Sequence, residues 1–330
     1  MALARMLCVS GHEVTVWSAL EREVEEYGAS RRHPNLPGMI IPDEIHFTKM
    51  VGEACEGKDI ILFAVPSVFV RSTAKTACPF IPDGQLIVDV AKGIEPDTLF
   101  TLTQVIGDEL KKDGKHDNVR LVALSGPTHA EEVALDLPTT IVASCEDKEA
   151  AACVQKVFMN DVMRVYTNDD VLGVELCGAM KNIIALASGI ALGLGYGDNT
   201  KAALITRGMY EITRLGRAMG CDDHTFYGLA GIGDLIVTCA SKHSRNRRAG
   251  VLIGQGMSYQ EAMDSVKMVV EGVYSAKAAL QLARKKGVTM PIVEMVNRIL
   301  FEDFPVGEAL TALLKRDKKS EISGISWDDE

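Results

Sequence analysis

The sequence predicts two domains of different class: a doubly wound α/β domain over residues 1–168 and an all-α domain over residues 169–330. Three observations predict this. Short β-branched runs alternate with helical segments up to about residue 168. Those runs are nearly continuous in apolar character, as expected for strands buried on both faces of a parallel sheet. From 169 onward strand signals stop and the 3.6-residue period takes over.

In order, "MALARMLCVSG" reads as a helix, with Leu3, Met6 and Leu7 at helical spacing and Gly11 as its stop. "HEVTVW" follows as a strand, and "DIILFAV", "QLIVDVA", "RLVALSG" and "TTIVAS" read as further strands. Helices are expected at 49–57, 96–112 and 129–135. In the second domain they are expected at 171–193, 200–219, 245–255, 258–267, 272–286 and 292–302, some parted by the Gly-rich joints "GLGYGDN", "GLAGIGDL" and "EGVYS". The tail "KRDKKSEISGISWDDE" is highly charged and expected to fray.

A dinucleotide fold of this class opens with a strand, a G-x-G-x-x-G turn and a helix. Here the helix and second strand come first. The expectation is that a first strand and glycine turn, on the order of a dozen residues, are missing through a late start codon or a shortened chain. A first element that never had a strand partner is the alternative. Without the turn's amides and a central strand, the chain is expected to fold poorly or bind cofactor weakly.

With 330 residues, 47% apolar and 24% charged, the chain suits two ordinary globular domains. A net charge of -10 argues against general affinity for nucleic acid or anionic membranes. The longest apolar stretch, 171–197, is interrupted by Glu175 and Lys181 and reads as a core helix, with no membrane insertion. The eight cysteines form no C-x-x-C and the seven histidines are scattered. No disulfide framework or metal site is indicated, and free thiols fit a cytoplasmic protein.

Five segments carry chemistry. In "VELCGAMKNIIALASGIALGLG", Lys181 lies mid-helix among apolar residues, where a cation is costly to bury. It either snorkels or acts as a general acid/base with a depressed pKa. Small residues Gly178, Ala179, Ala185, Ala187 and Gly189 let a backbone or ligand approach closely. In "LAGIGDLIVTCASKHSRNRRAG", Asp234 has an apolar surround and should have a specific partner. Lys242, Arg245, Arg247 and Arg248, with His243, form a basic run. Ser244 can cap a helix starting at Arg245, making either a phosphate site or a solvated basic face. "VDVAKGIE" and "LSGPTHAEEVA" follow strands, placing Lys92, Gly126, Thr128 and Ala130 beyond carboxyl ends. Glu131 and Glu132 suit a helix first turn. Glu271, in "MVVEGVYSAKA", reads as a cap-like carboxylate.

The ordered set "VPS", "AKGIE", "SGPTHAEEVA", "ELCGAMKN", "GLAGIGDL", "SRNRRAG" and "VVEGV" resembles bacterial NAD(P)-dependent glycerol-3-phosphate dehydrogenase, from residue 2 to about 315. "HPNLPG" is similar to the family's loop after the second strand. The resemblance implies a Rossmann-like first domain and reduction of dihydroxyacetone phosphate to sn-glycerol 3-phosphate for phospholipid synthesis, with NADPH or NADH. It implies Lys181 as proton donor and a substrate pocket of Lys92, Gly126, Thr128, Lys181, Asp234, Ser244, Arg245 and Asn246. It implies cofactor contacts from Lys92, Ala130, Arg245, Val269 and Glu271, and a homodimer. Lys92 and Arg245, if close to Lys181, would lower its pKa.

Ser18 and Ala19 stand where an NAD-selecting acid would tend to sit, and Arg22, Arg31 or Arg32 could meet a 2′-phosphate, which leans toward NADPH. The rival readings are an oxidoreductase like ketopantoate reductase or a β-hydroxyacid dehydrogenase, and a non-catalytic metabolite-binding protein. The serine-led Arg-Asn segment favours a phosphorylated substrate.

Overall fold

The computed structural model describes residues 1–318, 320 and 321, so most of the tail expected to fray lies outside the described residues. The first half, among the described residues, holds seven strands: β1 (Thr15–Trp17), β2 (His46–Thr48), β3 (Ile60–Phe63), β4 (Leu86–Asp89), β5 (Arg120–Ser125), β6 (Thr139–Ser144) and β7 (Met163–Asn168). Helices α1 (Ala2–Val9), α2 (Glu21–Ser30), α3 (Val51–Cys55), α4 (Val70–Ala77), α5 (Leu102–Lys111), α6 (Ala130–Val133) and α7 (Lys148–Phe158) intervene. The strands form a parallel pair, β1–β2, and a five-stranded sheet in the order β3-β4-β5-β6-β7. Lys58 Nζ reaches from the start of β3 to Thr15 Oγ1 at 3.2 Å, so the two sheets lie side by side.

The sheet departs from an all-parallel expectation, because β6 runs antiparallel to β5. The physical reason is the connection: α6 is a single turn, and an antiparallel neighbour needs no full-length crossover. β7, "MRVYTN", is an edge strand absent from the sequence-based expectation. Its residues alternate buried and exposed before the exposed end, so it lacks the continuous apolar run that marks its neighbours. The helix expected over 96–112 begins only at Leu102. Residues 95–101 form a loop closed by an Ile94–Thr101 bridge, and Thr101 with Gln104 makes the capping box that starts the helix.

The remaining helices are α8 (Val171–Gly193), α9 (Asp198–Met219), α10 (Asp223–Phe226), α11 (Asp234–Ala240), α12 (Arg245–Gly254), α13 (Tyr259–Val266), α14 (Glu271–Lys285), α15 (Pro291–Phe301) and α16 (Ala309–Leu314). α8 is apolar on all sides and buried almost throughout, so the others pack around it. By length and composition it could cross a membrane, yet 89% of that window is buried inside the protein. Asp170 caps it, accepting the Gly173 N–H at 2.9 Å.

A glycine seam locks α12 onto α8. A Cβ on Gly189 would fall 2.2 Å from the Arg247 carbonyl oxygen, and one on Gly193 2.3 Å from that of Val251. Reciprocally, a Cβ on Gly250 would fall 2.2 Å from the Leu186 oxygen, and one on Gly254 2.3 Å from that of Ile190. Two glycines four residues apart on each helix therefore bring backbone against backbone. This fixes the amino end of α12 relative to the middle of α8.

Candidate active site

Beyond the carboxyl ends of β4 and β5 the chain meets the middle of α8. A Cβ on Gly178 would stand 3.3 Å from Lys92 Cγ and 3.4 Å from Ser125 Oγ. This crevice is where open α/β sheets bind ligands. Gly126 turns the chain there with a φ of +154°, and a Cβ would come within 3.1 Å of Ile141 Cα. Thr128 Oγ1 donates back to the Gly126 carbonyl at 3.1 Å.

Lys181, three residues along α8 from Gly178, points to the same face. It does not snorkel: the residue is 6% exposed. Its ammonium donates to Asp234 Oδ1, and to Thr238 Oγ1 at 2.8 Å. Lys92 Nζ donates to the other Asp234 oxygen at 2.6 Å and to the Gly126 carbonyl at 3.0 Å. One buried carboxylate thus holds two ammonium groups, one from the strand-bearing half and one from α8.

The local sequence explains how Asp234 comes to be there. Residues Leu229–Gly233 make a π-helical turn running directly into α11. A Cβ on Gly231 would overlap the Phe226 carbonyl at 2.2 Å, so the turn requires glycine. Thr238, one turn on, donates to the Asp234 carbonyl at 2.6 Å, which leaves its oxygen to accept from Lys181.

Burial pushes the Lys181 ammonium down to about 7; the Asp234 carboxylate opposes this and the Lys92 cation adds to it. Burial alone would raise Asp234, but the two lysines outweigh it and hold the carboxyl below its ordinary range. Lys92 is the cation acting on Lys181, whereas the charge of Arg245 acts on Glu271.

A chain of amides ties this centre to α12 and α14. Asn182 donates to the Gly178 carbonyl at 3.2 Å and accepts from Asn246 Nδ2 at 2.9 Å. Asn246 Oδ1 accepts the Gly272 N–H at 2.7 Å. Ser244 caps α12 by accepting the Arg247 N–H at 3.2 Å, and Arg245 is the helix's first residue. Glu271 opens α14, and its carboxylate crosses to the other half. It accepts the Ser67 N–H at 3.0 Å and the Ser67 hydroxyl. Burial raises its pKa, opposed by those bonds and by Arg245. Gly93, next to Lys92, completes the contact: a Cβ there would meet Ser67 Cβ at 2.6 Å.

Lys92, Gly126, Thr128, Lys181, Asp234, Asn246 and Glu271 are therefore linked within one cleft, with Ser244 and Arg245 at the adjoining helix end. Ala130 is exposed at the start of α6 and Val269 is half-buried before α14; neither is hydrogen-bonded into this network among the described residues. Thr238, Asn182 and Ser67 were not singled out from sequence. Thr238 follows Asp234 at helical spacing and Asn182 adjoins Lys181, so both carried a usable signal. Ser67, in "VPS", acquires its role only through a partner 204 residues away.

The cofactor-side expectations change in two respects. Arg31 donates to the Pro42 and Ile45 carbonyls at 3.2 and 2.9 Å, so it is committed to the loop; Arg22 and Arg32 are exposed. Glu23, in the first turn of α2, accepts from Ser18 Oγ at 2.8 Å. The fold thus brings a carboxylate to the end of β1 that Ser18 and Ala19 alone do not suggest.

Residues 1–151 match the family description "NAD-dependent glycerol-3-phosphate dehydrogenase N-terminus", and residues 170–311 match the corresponding C-terminus. A protein of Lactobacillus delbrueckii subsp. bulgaricus named glycerol-3-phosphate dehydrogenase [NAD(P)+] 2 is 67% identical over 98% of this chain and 96% of its own length. One of Agathobacter rectalis, named glycerol-3-phosphate dehydrogenase [NAD(P)+], is 54% identical over 99% and 96%. The crystal structure of glycerol-3-phosphate dehydrogenase from Coxiella burnetii superposes with a TM-score of 0.90 at 36% identity, covering 96% of this chain and 95% of that one. With its Rossmann-like sheet and helical second half, the chain belongs to the NAD-dependent glycerol-3-phosphate dehydrogenase family.

Proposed function

We propose that this chain reduces dihydroxyacetone phosphate to sn-glycerol 3-phosphate with NADPH or NADH, and that Lys181 supplies the proton. The single observation that carries this is the buried Lys181–Asp234–Lys92 cluster at the strand carboxyl ends. It sets a lysine with a pKa of about 7 in the crevice where this family's ligands are expected.

The cleft suits a nicotinamide dinucleotide. Ser125 Oγ, at the carboxyl end of β5, is buried without a hydrogen-bond partner among the described residues. Gly93 leaves no room for a side chain beside Ser67 and Glu271. Lys92, Ala130, Arg245, Val269 and Glu271 are the residues we assign to holding the cofactor, which when bound supplies hydride to the carbonyl carbon. The carbonyl oxygen then becomes an alkoxide. An ammonium at hydrogen-bond distance neutralises that charge and gives up its proton. Asp234 favours the protonated form of Lys181 near neutral pH. In the reverse direction neutral Lys181 accepts the hydroxyl proton.

The phosphate takes no part in the chemistry; its binding orients the carbonyl. Ser244, Arg245 and Asn246 at the amino end of α12 offer a guanidinium, free helix N–H groups and a polar amide for it. Gly126 and Thr128 line the other side. The working division is a cofactor-binding domain over 1–168 and a substrate-binding domain over 169–330. The reading extends to a cytoplasmic homodimer that supplies the glycerol backbone of phospholipids.

A substrate panel tests it. Dihydroxyacetone phosphate should be reduced, while dihydroxyacetone and ketopantoate should not. Ketopantoate turnover without phosphate discrimination would overturn the reading.

A further inference from the structure

At the opposite, amino-terminal edge of the sheet, three side chains with metal-binding atoms converge at the foot of an open recess of about 580 Å³. Cys78 follows α4, Asp113 and His116 follow α5, and their ligand atoms lie within 4.8 Å of one another. Cys78 and His116 are buried, at 9% and 6% exposure.

Hydrogen bonding fixes the imidazole. His116 Nε2 lies 2.8 Å from the Ile81 carbonyl, which can only accept, so Nε2 carries a proton. In the neutral ring Nδ1 is then a bare lone pair, yet it stands 2.8 Å from Asp113 Oδ1, another acceptor. Cys78 Sγ is 3.9 Å from Nδ1 and 3.5 Å from Asp113 Oδ2. The Cys78 thiol donates to Asp113 Oδ2, so the contact that needs a positive charge is the one between His116 Nδ1 and Asp113 Oδ1. A second proton on His116 would serve; so would a metal ion.

We propose that Cys78, Asp113 and His116 form a site for a Zn²⁺-class divalent ion, with the fourth position open to the recess. One nitrogen, one sulfur and one carboxylate oxygen make a donor set that zinc accepts. Bond lengths of ~2.0–2.3 Å around a tetrahedral ion place donors roughly 3.3–3.8 Å apart. The Cys78 Sγ distances of 3.5 and 3.9 Å are near this span, while the 2.8 Å contact between His116 Nδ1 and Asp113 Oδ1 has to open to admit the ion. The Ile81 carbonyl is the outer partner that sets the tautomer of a ligating histidine. Binding displaces the Cys78 thiol proton to solvent, leaving a thiolate–metal bond. Lys75, Asp83, Glu109, Lys112 and Lys115 ring the recess. Spacing could not reveal the site, because Cys78 and Asp113 are 35 residues apart in the chain.

Titration of the full-length reduced protein with Co²⁺, free of chelator, tests this. The expected result is one Co²⁺ per chain with a thiolate-to-cobalt charge-transfer band, lost on adding Zn²⁺. Cys78→Ser should abolish the band, whereas Cys153→Ser, at an exposed cysteine, should keep it. Because Cys78→Ser could disturb folding at a buried position, its turnover of dihydroxyacetone phosphate, unchanged from wild type, shows that the fold is intact. Absence of a saturable band, or a band that survives Cys78→Ser, would overturn the proposal and leave an Asp113–imidazolium pair.

Discussion

Replacing Asp234 by Asn removes one charge from between two ammonium groups while keeping shape. Lys181 holds its proton with a pKa of about 7 only because Asp234 opposes the burial that drives it down. A contact between unit charges at an effective dielectric of about 20 is on the order of 4 kcal/mol, and each 1.36 kcal/mol is tenfold in proton affinity. Loss of the carboxylate therefore costs Lys181 roughly a thousandfold in proton affinity. At pH 7 its protonated fraction falls from about one half to on the order of one in a thousand. The sign is fixed by role. In the proposed role the lysine reacts in its protonated form, so kcat/KM for dihydroxyacetone phosphate should fall as pH rises through about 7 in the wild type. In Asp234→Asn that limb should move to lower pH, with a rate at pH 7 down roughly a hundredfold or more. The assay is steady-state reduction across pH 5 to 9, with circular dichroism to verify folding. A folded variant whose limb stays near 7, or whose rate stays within tenfold, would refute the reasoning.

Three further expectations follow from separate parts of the fold. Gly250→Ala drives a Cβ to 2.2 Å from the Leu186 oxygen and should cost about 3 kcal/mol in denaturant unfolding, whereas Gly307→Ala, with open space around it, should stay within about 0.5 kcal/mol. Glu211, which accepts the Ile292 N–H at 2.8 Å, has its carboxyl raised by burial to about 7. A raised carboxyl pKa gives stability that is fully present below the unfolded value and lost as pH climbs through the folded one. Unfolding free energy should thus drop by about 3 kcal/mol between pH 4.5 and 7 from this group, and Glu211→Gln should flatten that slope. Glu23→Gln removes the acid at Ser18 and should shift kcat/KM toward NADPH over NADH by roughly threefold to fivefold, an effect that added salt shrinks. An unchanged cofactor ratio would separate Glu23 from the adenosine ribose.

Much of the fold was legible because burial on both faces writes continuous apolar runs, as in β4 and β6. β7 escaped because an edge strand alternates, and the reversal of β6 is not encoded in apolar pattern at all. Two buried charges of the site were also legible. Lys181 and Asp234 each stand in an apolar surround and demand a partner. That they partner each other, across 53 residues, is a property of how α11 lies against α8. The amide chain through Asn182 and Asn246 and the Ser67–Glu271 bond are likewise products of helix placement. The glycine seam places α12 on α8; of its four glycines only Gly189 stood out in the sequence, and the helix over 245–255 was legible while its pairing with α8 was not.

The central claim is that Lys181 delivers the proton and is not needed to hold the cofactor. One preparation of wild type and one of Lys181→Met, each assayed for NADPH oxidation driven by dihydroxyacetone phosphate and for NADPH binding by fluorescence, tests it directly. The wild type should show substrate-dependent oxidation, the variant should lose it, and NADPH affinity should be equal in both. Turnover by Lys181→Met at the wild-type rate would contradict it.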